Sequence, residues 1–239
     1  NNIWAVGEIY MYDSLGIPDP NAYNAVHWNG QSWELKRINM LSNCNPVIYP
    51  PLKAIWAFDE NNIVLTSGGS IGWFDGNINR TDCTIRPLLT GSINKLWGSN
   101  SNDLYAVGNN GNIAHFNDSR WTKIESGTTV NFYDIWGNPD ASTIWTCGYT
   151  DDYGTSALIK IKDGVVEKVF EGLSNSQNNG YYVGPMSGVW SDNEYRVFMM
   201  NWGGLYIQQN NNQFFLEKEI ARFSDVGFGI DGTGYNNVF

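Results

Sequence analysis

The fold of this 239-residue chain is decided by one stretch, Ile93-Asn94-Lys95-Leu96-Trp97-Gly98-Ser99-Asn100-Ser101-Asn102-Asp103-Leu104-Tyr105-Ala106-Val107-Gly108. An apolar run that ends in Trp-Gly is followed by a polar turn and by a second apolar run that ends in Val-Gly. Both runs are short, aromatic and β-branched, which is typical of two strands joined by a tight connection. The same pattern returns, with altered residues, along the whole chain.

Each copy of the repeat contains four strand-like segments. The first segment carries a tryptophan in four copies, at Trp56, Trp97, Trp136 and Trp190. The third and fourth segments are separated by Asn-Gly or Asp-Gly in several copies, which are the residues that tight hairpin turns prefer. In the second copy we expect the fourth strand at residues 84–86. The shortest copies recur about every 40 residues, the length of a β-propeller blade.

A repeat of four antiparallel strands predicts an all-β protein, a β-propeller whose blades stack around an axis and share their aromatic side chains. The apolar runs are short and interrupted by glycine, so no helix is predicted. We predict a single domain over 1–239, with repeats at approximately 1–38, 52–89, 93–126, 131–171 and 186–220, and with 222–239 closing the first blade or starting another. Two arrangements stay open: a closed five-bladed ring, or a fragment of a six- or seven-bladed ring.

Composition narrows the classes of partner. The net charge is −10 and the basic residues are scattered, so an acidic surface would repel phosphate backbones and no nucleic-acid binding is expected. No apolar run reaches the roughly 18 residues that a membrane span needs, so no membrane insertion is expected. The sequence opens inside a repeat without a signal segment. We expect that a signal or anchor was removed or lies outside it, and that other domains of a longer chain are partners.

A resemblance adds to this interpretation. Residues 96–116, LWGSNSNDLYAVGNNGNIAHF, resemble a family of bacterial secreted or surface β-propellers with repeats of the form WGSSSNDVYAVGDNGTILHYDGSSW. That family is similar to the sialidase-like (BNR) and photosystem-assembly propellers, and some members carry a glucosyltransferase label. The resemblance covers nearly the whole chain and implies a propeller fold and an extracellular or cell-surface location. It transfers no catalytic residue, because no turn matches the Asp-box of the sialidases.

The three cysteines have no metal-binding spacing. Cys147 takes the place of Val107 in its repeat, which indicates a small core side chain. Cys44 and Cys83 lie in polar loops of adjacent repeats, where they are either two free thiols or a disulfide. An extracellular setting favours the disulfide, which is our prediction.

Loop length is the strongest functional clue. In a four-stranded meander, second-to-third and fourth-to-first connections lie on one face of the disk. The longer blades insert residues at 8–24, 39–51, 149–155 and 173–185, all on that face. The candidate ligand-binding residues are the aromatic and acidic side chains there, together with the tryptophan of the matching connection in the fifth copy. They are Tyr10, Tyr12, Asp13, Tyr23, Tyr49, Tyr149, Asp151, Asp152, Tyr153, Tyr181, Tyr182 and Trp202.

Two kinds of ligand suit such a face. Saccharides stack on aromatic rings and bond to Asn and Asp, whereas protein epitopes use the same aromatic residues as anchors. The alternative is that the long loops fold over one another and bury their own tyrosines.

The sequence evidence for a catalytic site is weaker than the evidence for a binding face. His27 and His115 occupy the same repeat position, which favours a packing role over a catalytic one. A glycoside-active enzyme could use two acids from among Glu8, Asp13, Asp19, Asp151 and Asp152. No cofactor is predicted, although Ca²⁺ could bind at Asp151 and Asp152 or at Asp13 and Asp19, without the spacing of a known calcium loop.

The sequence therefore favours a non-catalytic, extracellular or cell-surface binding module that recognises a glycan or a partner protein. A glycoside-active propeller and a purely structural repeat in a larger surface protein are the alternatives.

Overall fold

The computed structural model describes residues 2–175, 177–178, 181–192, 196–201, 204–209, 213–219, 230–234 and 237–238. In this part of the chain all regular structure is β-strand and there is no helix. Five successive sheets follow one another along the chain, and neighbouring strands in each sheet are consecutive in sequence and antiparallel. These sheets are the blades that the repeat predicts.

The strands follow the order of the sequence. Blade 1 contains β1 (Ile3–Ile9), β2 (Tyr23–Trp28) and β3 (Trp33–Lys36), and a hairpin of β4 (Met40–Ser42) and β5 (Asn45–Val47) comes after it. Blade 2 contains β6 (Ile55–Asp59), β7 (Asn62–Ser67), β8 (Ser70–Phe74) and β9 (Asn79–Asp82). Blade 3 contains β10 (Ile93–Asn100), β11 (Asp103–Gly108), β12 (Asn112–Asn117) and β13 (Arg120–Glu125).

Blades 4 and 5 repeat this meander. Blade 4 contains β14 (Asn131–Gly137), β15 (Thr143–Tyr149), β16 (Thr155–Lys162) and β17 (Val165–Leu173), and is followed by the short hairpin of β18 (Gln177–Asn178) and β19 (Tyr181–Tyr182). Blade 5 contains β20 (Met186–Ser191), β21 (Val197–Asn201), β22 (Gly204–Gln209) and β23 (Gln213–Glu219). The final pair is β24 (Gly232–Gly234) and β25 (Asn237–Val238).

Short polar residues close the outer hairpins, as the turn chemistry predicts. Asp163 and Gly164 both have positive φ angles, 51° and 74°, which is the conformation of the two-residue turn favoured between antiparallel strands. In blade 2 the Asp75 carboxylate accepts the backbone N–H groups of Asn77 and Ile78, at 2.9 and 2.6 Å. These side chains fix where each strand turns back.

The Asp75 turn also corrects the predicted position of the fourth strand in blade 2. That strand runs over β9, where Ile71 pairs with Asp82, and not over residues 84–86. Because the turn is tight, the returning strand is complete before Ile85 is reached. Ile85 instead lies in the turns that follow the strand, fully buried in the core that blade 2 shares with blade 3.

Apolar side chains fill the space between neighbouring blades. Leu104 and Trp121 of blade 3 pack in one cluster with Val64 and Ile71 of blade 2. Similar clusters join blades 1 and 2, blades 3 and 4, and blades 4 and 5. Because each sheet buries its faces against its neighbours, the stacking of blades supplies most of the hydrophobic stabilisation.

The first-strand tryptophans take part in this stacking, as the sequence indicates. The ring centroids of Trp56 and Trp97 are 6.2 Å apart, and those of Trp136 and Trp190 are 6.1 Å apart. The Trp136 indole N–H donates to the carbonyl of Ser191 in the next blade at 3.0 Å. These residues have a structural role.

A polar junction links the inner strands of blades 3, 4 and 5. The Asp134 side chain, only 6% exposed, accepts a hydrogen bond from the backbone N–H of Val189 at 2.9 Å and lies 3.1 Å from the ammonium of Lys95. Burial raises the pKa of Asp134, and the nearby Lys95 charge opposes that change without cancelling it. The junction therefore holds a buried carboxyl group at the innermost strands of three blades.

The inner strands of blades 3, 4 and 5 also share a β-bulge near their first residue. In blades 3, 4 and 5 the pairing register shifts by one residue there, leaving Asn94, Tyr133 and Ser187 as the extra residues. A bulge re-aims the side chain of its extra residue while the rest of the strand keeps its register. Three blades thus present a different residue type from the same backbone position.

Blades 1 and 2 are joined covalently. Cys44, between β4 and β5, forms a disulfide with Cys83, which follows β9, and their Cα atoms are 5.8 Å apart. The buried amide of Asn24 adds to this, because it donates to the carbonyls of Ile38 and Pro50 at 2.8 and 2.9 Å. The long connection after blade 1 is therefore fixed at both of its ends and in its middle.

Blade 1 has three strands within the described ranges, and β1 aligns with the second strands of the other blades. Residues 222–231 were predicted to supply its first strand, and of these residues 222–229 lie outside the described residues. The choice between a closed five-bladed ring and a larger ring stays a prediction.

Candidate functional site

The four long connections lie on one face of the disk. They are residues 10–22, 37–54, 150–154 and the described part of 174–185, and each joins a second strand to a third or a fourth strand to the next first strand. In an antiparallel meander these two kinds of connection lie at the same end of the strands. We call this surface the insertion face.

A hairpin-like excursion of blade 1, residues 10–19, forms the first part of this face; we call it the Tyr12 hairpin. Asp13 closes its tip, because its carboxylate accepts the backbone N–H groups of Leu15 and Ile17 at 2.8 and 2.9 Å. Gly16 has a φ of 76°, which a glycine adopts without strain. Tyr12 and Pro18 form an antiparallel bridge across the hairpin. The backbone is thus ordered by bonds within the excursion itself.

The side chains of the Tyr12 hairpin point largely into solvent. The exposed fractions of its apolar residues are 61% for Tyr10, 42% for Met11, 66% for Tyr12, 81% for Leu15 and 57% for Ile17. Single exposed apolar residues are common on protein surfaces, whereas five within ten positions of one ordered segment indicate an interaction site.

The base of the Tyr12 hairpin is held by Arg37. Its guanidinium donates to the carboxylate of Asp19 at 2.5 Å and to the carbonyl of Asn21 at 2.7 Å. The same group lies 4.0 Å from the ring centroid of Tyr23 and 5.6 Å from that of Tyr49. The backbone N–H of Asn21 and the Arg37 guanidinium lower the pKa of Asp19. Tyr23 and Tyr49 are therefore half-buried residues that pack against Arg37.

A second group lies in blade 4, where three tyrosines form a fan. The ring centroids of Tyr133 and Tyr149 are 4.4 Å apart, and those of Tyr149 and Tyr153 are 5.5 Å apart. Tyr153 is 49% exposed, whereas Tyr133 and Tyr149 are half-buried. Beside the fan, the Asp151 carboxylate accepts a hydrogen bond from the Asn131 amide at 2.6 Å. We call these three rings the tyrosine fan.

The loop that carries Tyr153 is pinned by its neighbours. The Asp152 carboxylate accepts the Thr150 hydroxyl at 2.5 Å and the backbone N–H of Gly154 at 2.9 Å. These two bonds lower the pKa of Asp152, so the group is held as an anion. Asp152 therefore shapes the loop.

The candidate residues thus form two groups and not one. Tyr10, Tyr12 and Asp13 belong to the Tyr12 hairpin, and Tyr149, Asp151, Asp152 and Tyr153 lie in or beside the tyrosine fan. Tyr181 and Tyr182 form β19, which pairs with β18 on the same face. Trp202 lies outside the described residues.

Sequence reasoning missed four residues. Arg37 follows an outer strand and gave no sign that it anchors two loops. Tyr133 lies inside an inner strand, and its signal in the sequence is that the sister copies have Asn94 and Ser187 at the same position. Leu15 and Ile17 are aliphatic, and a search for aromatic and acidic residues in the loops does not include them.

The candidate acids and histidines have protein partners. The pKa values of Asp19 and Asp152 are lowered, which is opposite to the raised pKa of a general acid in a glycosidase. His27 stacks on Trp4 and His115 stacks on Tyr105, each with 4.1 Å between ring centroids. The two histidines make the same cross-strand contact in two blades, which favours packing. Within the described ranges, no cluster of three or more His, Cys, Asp or Glu could hold a metal ion.

Comparison with known proteins defines the class of fold. The chain is similar to the extracellular domain of a protein described as a one component system, BT4673, from B. thetaiotaomicron, with a TM-score of 0.50 and 11% identity, covering 98% of this chain and 37% of that one. It is also similar to a chain of a nidogen/laminin complex, with a TM-score of 0.57 and 9% identity, covering 100% of this chain and 84% of that one. The protein is a β-propeller of four-stranded antiparallel blades.

The comparisons assign no particular family. No family model and no curated protein matches the chain. The chain spans little more than a third of the BT4673 chain, so that protein's activity does not carry over. The resemblance to the bacterial repeat family stays a prediction. No helix long and apolar enough to cross a membrane occurs in the described part of the chain.

Proposed function

We propose that the protein is an extracellular, non-catalytic binding module that holds a partner protein through the Tyr12 hairpin. The observation that carries this proposal is the exposure of five apolar side chains on one ordered ten-residue excursion. Leaving such side chains in water forgoes roughly 1.5–3 kcal/mol for each one that a partner could bury completely. Their common placement is explained if a partner covers them.

The chemistry of the hairpin favours a protein over a glycan at this point. Met11, Leu15 and Ile17 are aliphatic and cannot bond to sugar hydroxyls, whereas Tyr and Met are enriched in protein interfaces. The backbone bonds of the tip and the Arg37 anchor pre-organise the hairpin. A partner then spends little free energy on ordering it.

Two observations support an extracellular location. The Cys44–Cys83 disulfide is of a kind that persists in oxidising compartments and is rare in the cytosol. The two similar structures are an extracellular domain and a chain of a nidogen/laminin complex, and an extracellular location of this protein would agree with both.

The test is a capture experiment with three matched baits: the wild type, Leu15→Asp and Val165→Asp. Val165 is 68% exposed next to an outer hairpin turn on the opposite face of the disk, so its substitution controls for added charge. Each bait is presented to a library of extracellular proteins, and any captured protein is then measured by biolayer interferometry. We expect Leu15→Asp to weaken binding by about thirtyfold, the effect of losing a hot-spot contact of roughly 2 kcal/mol.

The alternatives give different results. A partner that binds all three baits equally would remove the Tyr12 hairpin as the site, and a purely structural repeat would capture nothing specific. A glycan array is run in parallel, and a glycan lost on Leu15→Asp would show that the hairpin recognises sugars instead. A glycoside-active propeller would release product from the array glycans, and substitution of a loop carboxylate would abolish that release.

A further inference from the structure

Blade 4 departs from its sister blades at the bulge of the inner strand. The extra residue is Asn94 in blade 3 and Ser187 in blade 5, but it is Tyr133 in blade 4. Tyr133 contacts Tyr149, which ends the neighbouring strand. Because the other two copies have a small polar residue at this position, the tyrosine indicates a role that is specific to blade 4.

We propose that the tyrosine fan, with Asn131 and Asp151 beside it, is a second binding site that takes an uncharged saccharide. The C–H face of a sugar ring stacks on exposed aromatic surface, and its hydroxyls bond to amide and carboxylate groups. The fan offers the first, and the exposed carboxylate of Asp151, which the buried amide of Asn131 holds in place, offers the second. This site shares no residue with the Tyr12 hairpin, so either proposal can fail without the other.

The geometry of the rings distinguishes a saccharide from a cation. An aromatic cage for a quaternary ammonium group needs rings that stand apart and surround the charge. In the fan, adjacent rings are only 4.4 and 5.5 Å apart, with planes inclined at 33° and 32°. No cation fits between them. The fan instead forms a continuous aromatic surface of which Tyr153 is the exposed member.

The backbone of Tyr153 supports a ligand role. Its φ angle is 58°, in the left-handed region that glycine and asparagine occupy more readily. A large side chain held there costs on the order of 1 kcal/mol or more, and such strain clusters at ligand-binding positions. The loop keeps this tyrosine at its tip, 49% exposed, on a backbone that Asp152 pins. A glycine would relieve the strain and would lose the ring.

Charge narrows the class of saccharide. Asp151 and Asp152 are adjacent exposed acids beside the fan, and the whole chain carries a net charge of −10. Sialic or uronic acids would meet like charge at close range, whereas uncharged hexose and N-acetylhexosamine units would not. Burial, and then the neighbouring tyrosines, raise the pKa of Tyr149, so its phenol stays a neutral hydrogen-bond donor at physiological pH.

The test uses the full chain on an array of neutral and acidic glycans, followed by calorimetric titration of the best neutral oligosaccharide, of polygalacturonate and of choline. Four variants are compared: Tyr153→Ala, Tyr153→Phe, Asp151→Asn and Trp33→Ala. Trp33 is a 56% exposed aromatic residue on the last strand of blade 1, outside both proposed sites, and serves as the matched control. Near-ultraviolet circular dichroism checks that each variant keeps its tertiary packing.

The expected result is binding of a neutral oligosaccharide that Tyr153→Ala weakens about tenfold, the effect of losing an aromatic contact of roughly 1.4 kcal/mol. Tyr153→Phe and Trp33→Ala should stay within about twofold of the wild type, because both keep the ring at position 153. Asp151→Asn removes a negative charge beside the fan, so this variant should bind polygalacturonate more tightly than the wild type does. The proposal is overturned if no neutral glycan binds, if Tyr153→Ala binds as well as the wild type, or if choline or polygalacturonate binds more tightly than every neutral glycan.

Discussion

Removing the disulfide between blades 1 and 2 should lower the free energy of unfolding by about 4 kcal/mol. The perturbation is the double substitution Cys44→Ser with Cys83→Ser. The disulfide closes a loop with a sequence separation of 39 residues. The chain-entropy relation for a loop of this length gives about 13 cal/mol/K, and hence about 4 kcal/mol at 25 °C. For a 239-residue chain this corresponds to a fall of roughly 8 °C in Tm.

Two measurements test this magnitude. Calorimetry gives the difference in Tm, and urea denaturation gives the difference in unfolding free energy at 25 °C. Cys147→Ala is the control, because that buried thiol is free and its loss should leave the response to reductant unchanged. Wild-type protein in dithiothreitol should match the double variant. A loss below about 1 kcal/mol would refute the reasoning, since noncovalent contacts would then hold the β4–β5 hairpin as tightly without the bond.

Three further predictions use pairs of matched positions or a pH series. Gly148→Ala should lower the free energy of unfolding, measured by urea denaturation, by at least about 3 kcal/mol, because its Cβ would lie 1.9 Å from a carbonyl oxygen. Gly7→Ala, at the equivalent repeat position, would place its Cβ where nothing lies within 4 Å and should lower that free energy by less than about 0.5 kcal/mol. Leu104→Ala should lower the free energy of unfolding by about 2–5 kcal/mol. Ile3→Ala, at the equivalent but 52% exposed position, should lower it by less than about 1.5 kcal/mol. Equal losses would contradict the account of blade packing. Folding raises the pKa of Asp134, so protonation of this carboxyl group stabilises the folded state. The stabilisation is complete below the ordinary carboxyl pKa and is lost as the pH rises through the raised pKa. Over that pH range the wild type should therefore lose unfolding free energy relative to Asp134→Asn.

The repeat made the blades predictable from sequence. Each copy carries its own strands and turn residues, so the sister copies provide an internal alignment that a single strand lacks. The one misplaced strand, β9, followed from the side-chain chemistry of Asp75: the turn closed early, and an apolar residue beyond it was taken for part of the strand. Ile85 is buried, so its hydrophobicity was interpreted correctly even though its secondary structure was not.

The candidate site was harder to predict, for a physical reason. Periodicity determines which connections share a face, but the conformation of a long loop depends on contacts between residues far apart in sequence. Arg37 bonds to Asp19 across 18 positions, and no pattern in the sequence indicates that contact. Tyr23 and Tyr49, two of the candidate ligand-binding residues, consequently have a packing partner in Arg37 that the sequence did not indicate.

The bulge at the start of the inner strands has a consequence for how such a protein diversifies. Most positions of a blade are constrained on both sides, since a change there disturbs the pairing or the packing against a neighbour. The extra residue of the bulge is outside the pairing, and Asn94, Tyr133 and Ser187 occupy it. It is not outside the packing in every blade: Asn94 and Ser187 are buried, and the Asn94 amide donates to the carbonyl of Phe132 in the next blade at 2.9 Å. A point mutation at this position therefore leaves the strand register intact, but in blades 3 and 5 it must keep a small polar side chain. Blade 4, where Tyr133 is half-buried, is the copy in which a change at this position alters the surface.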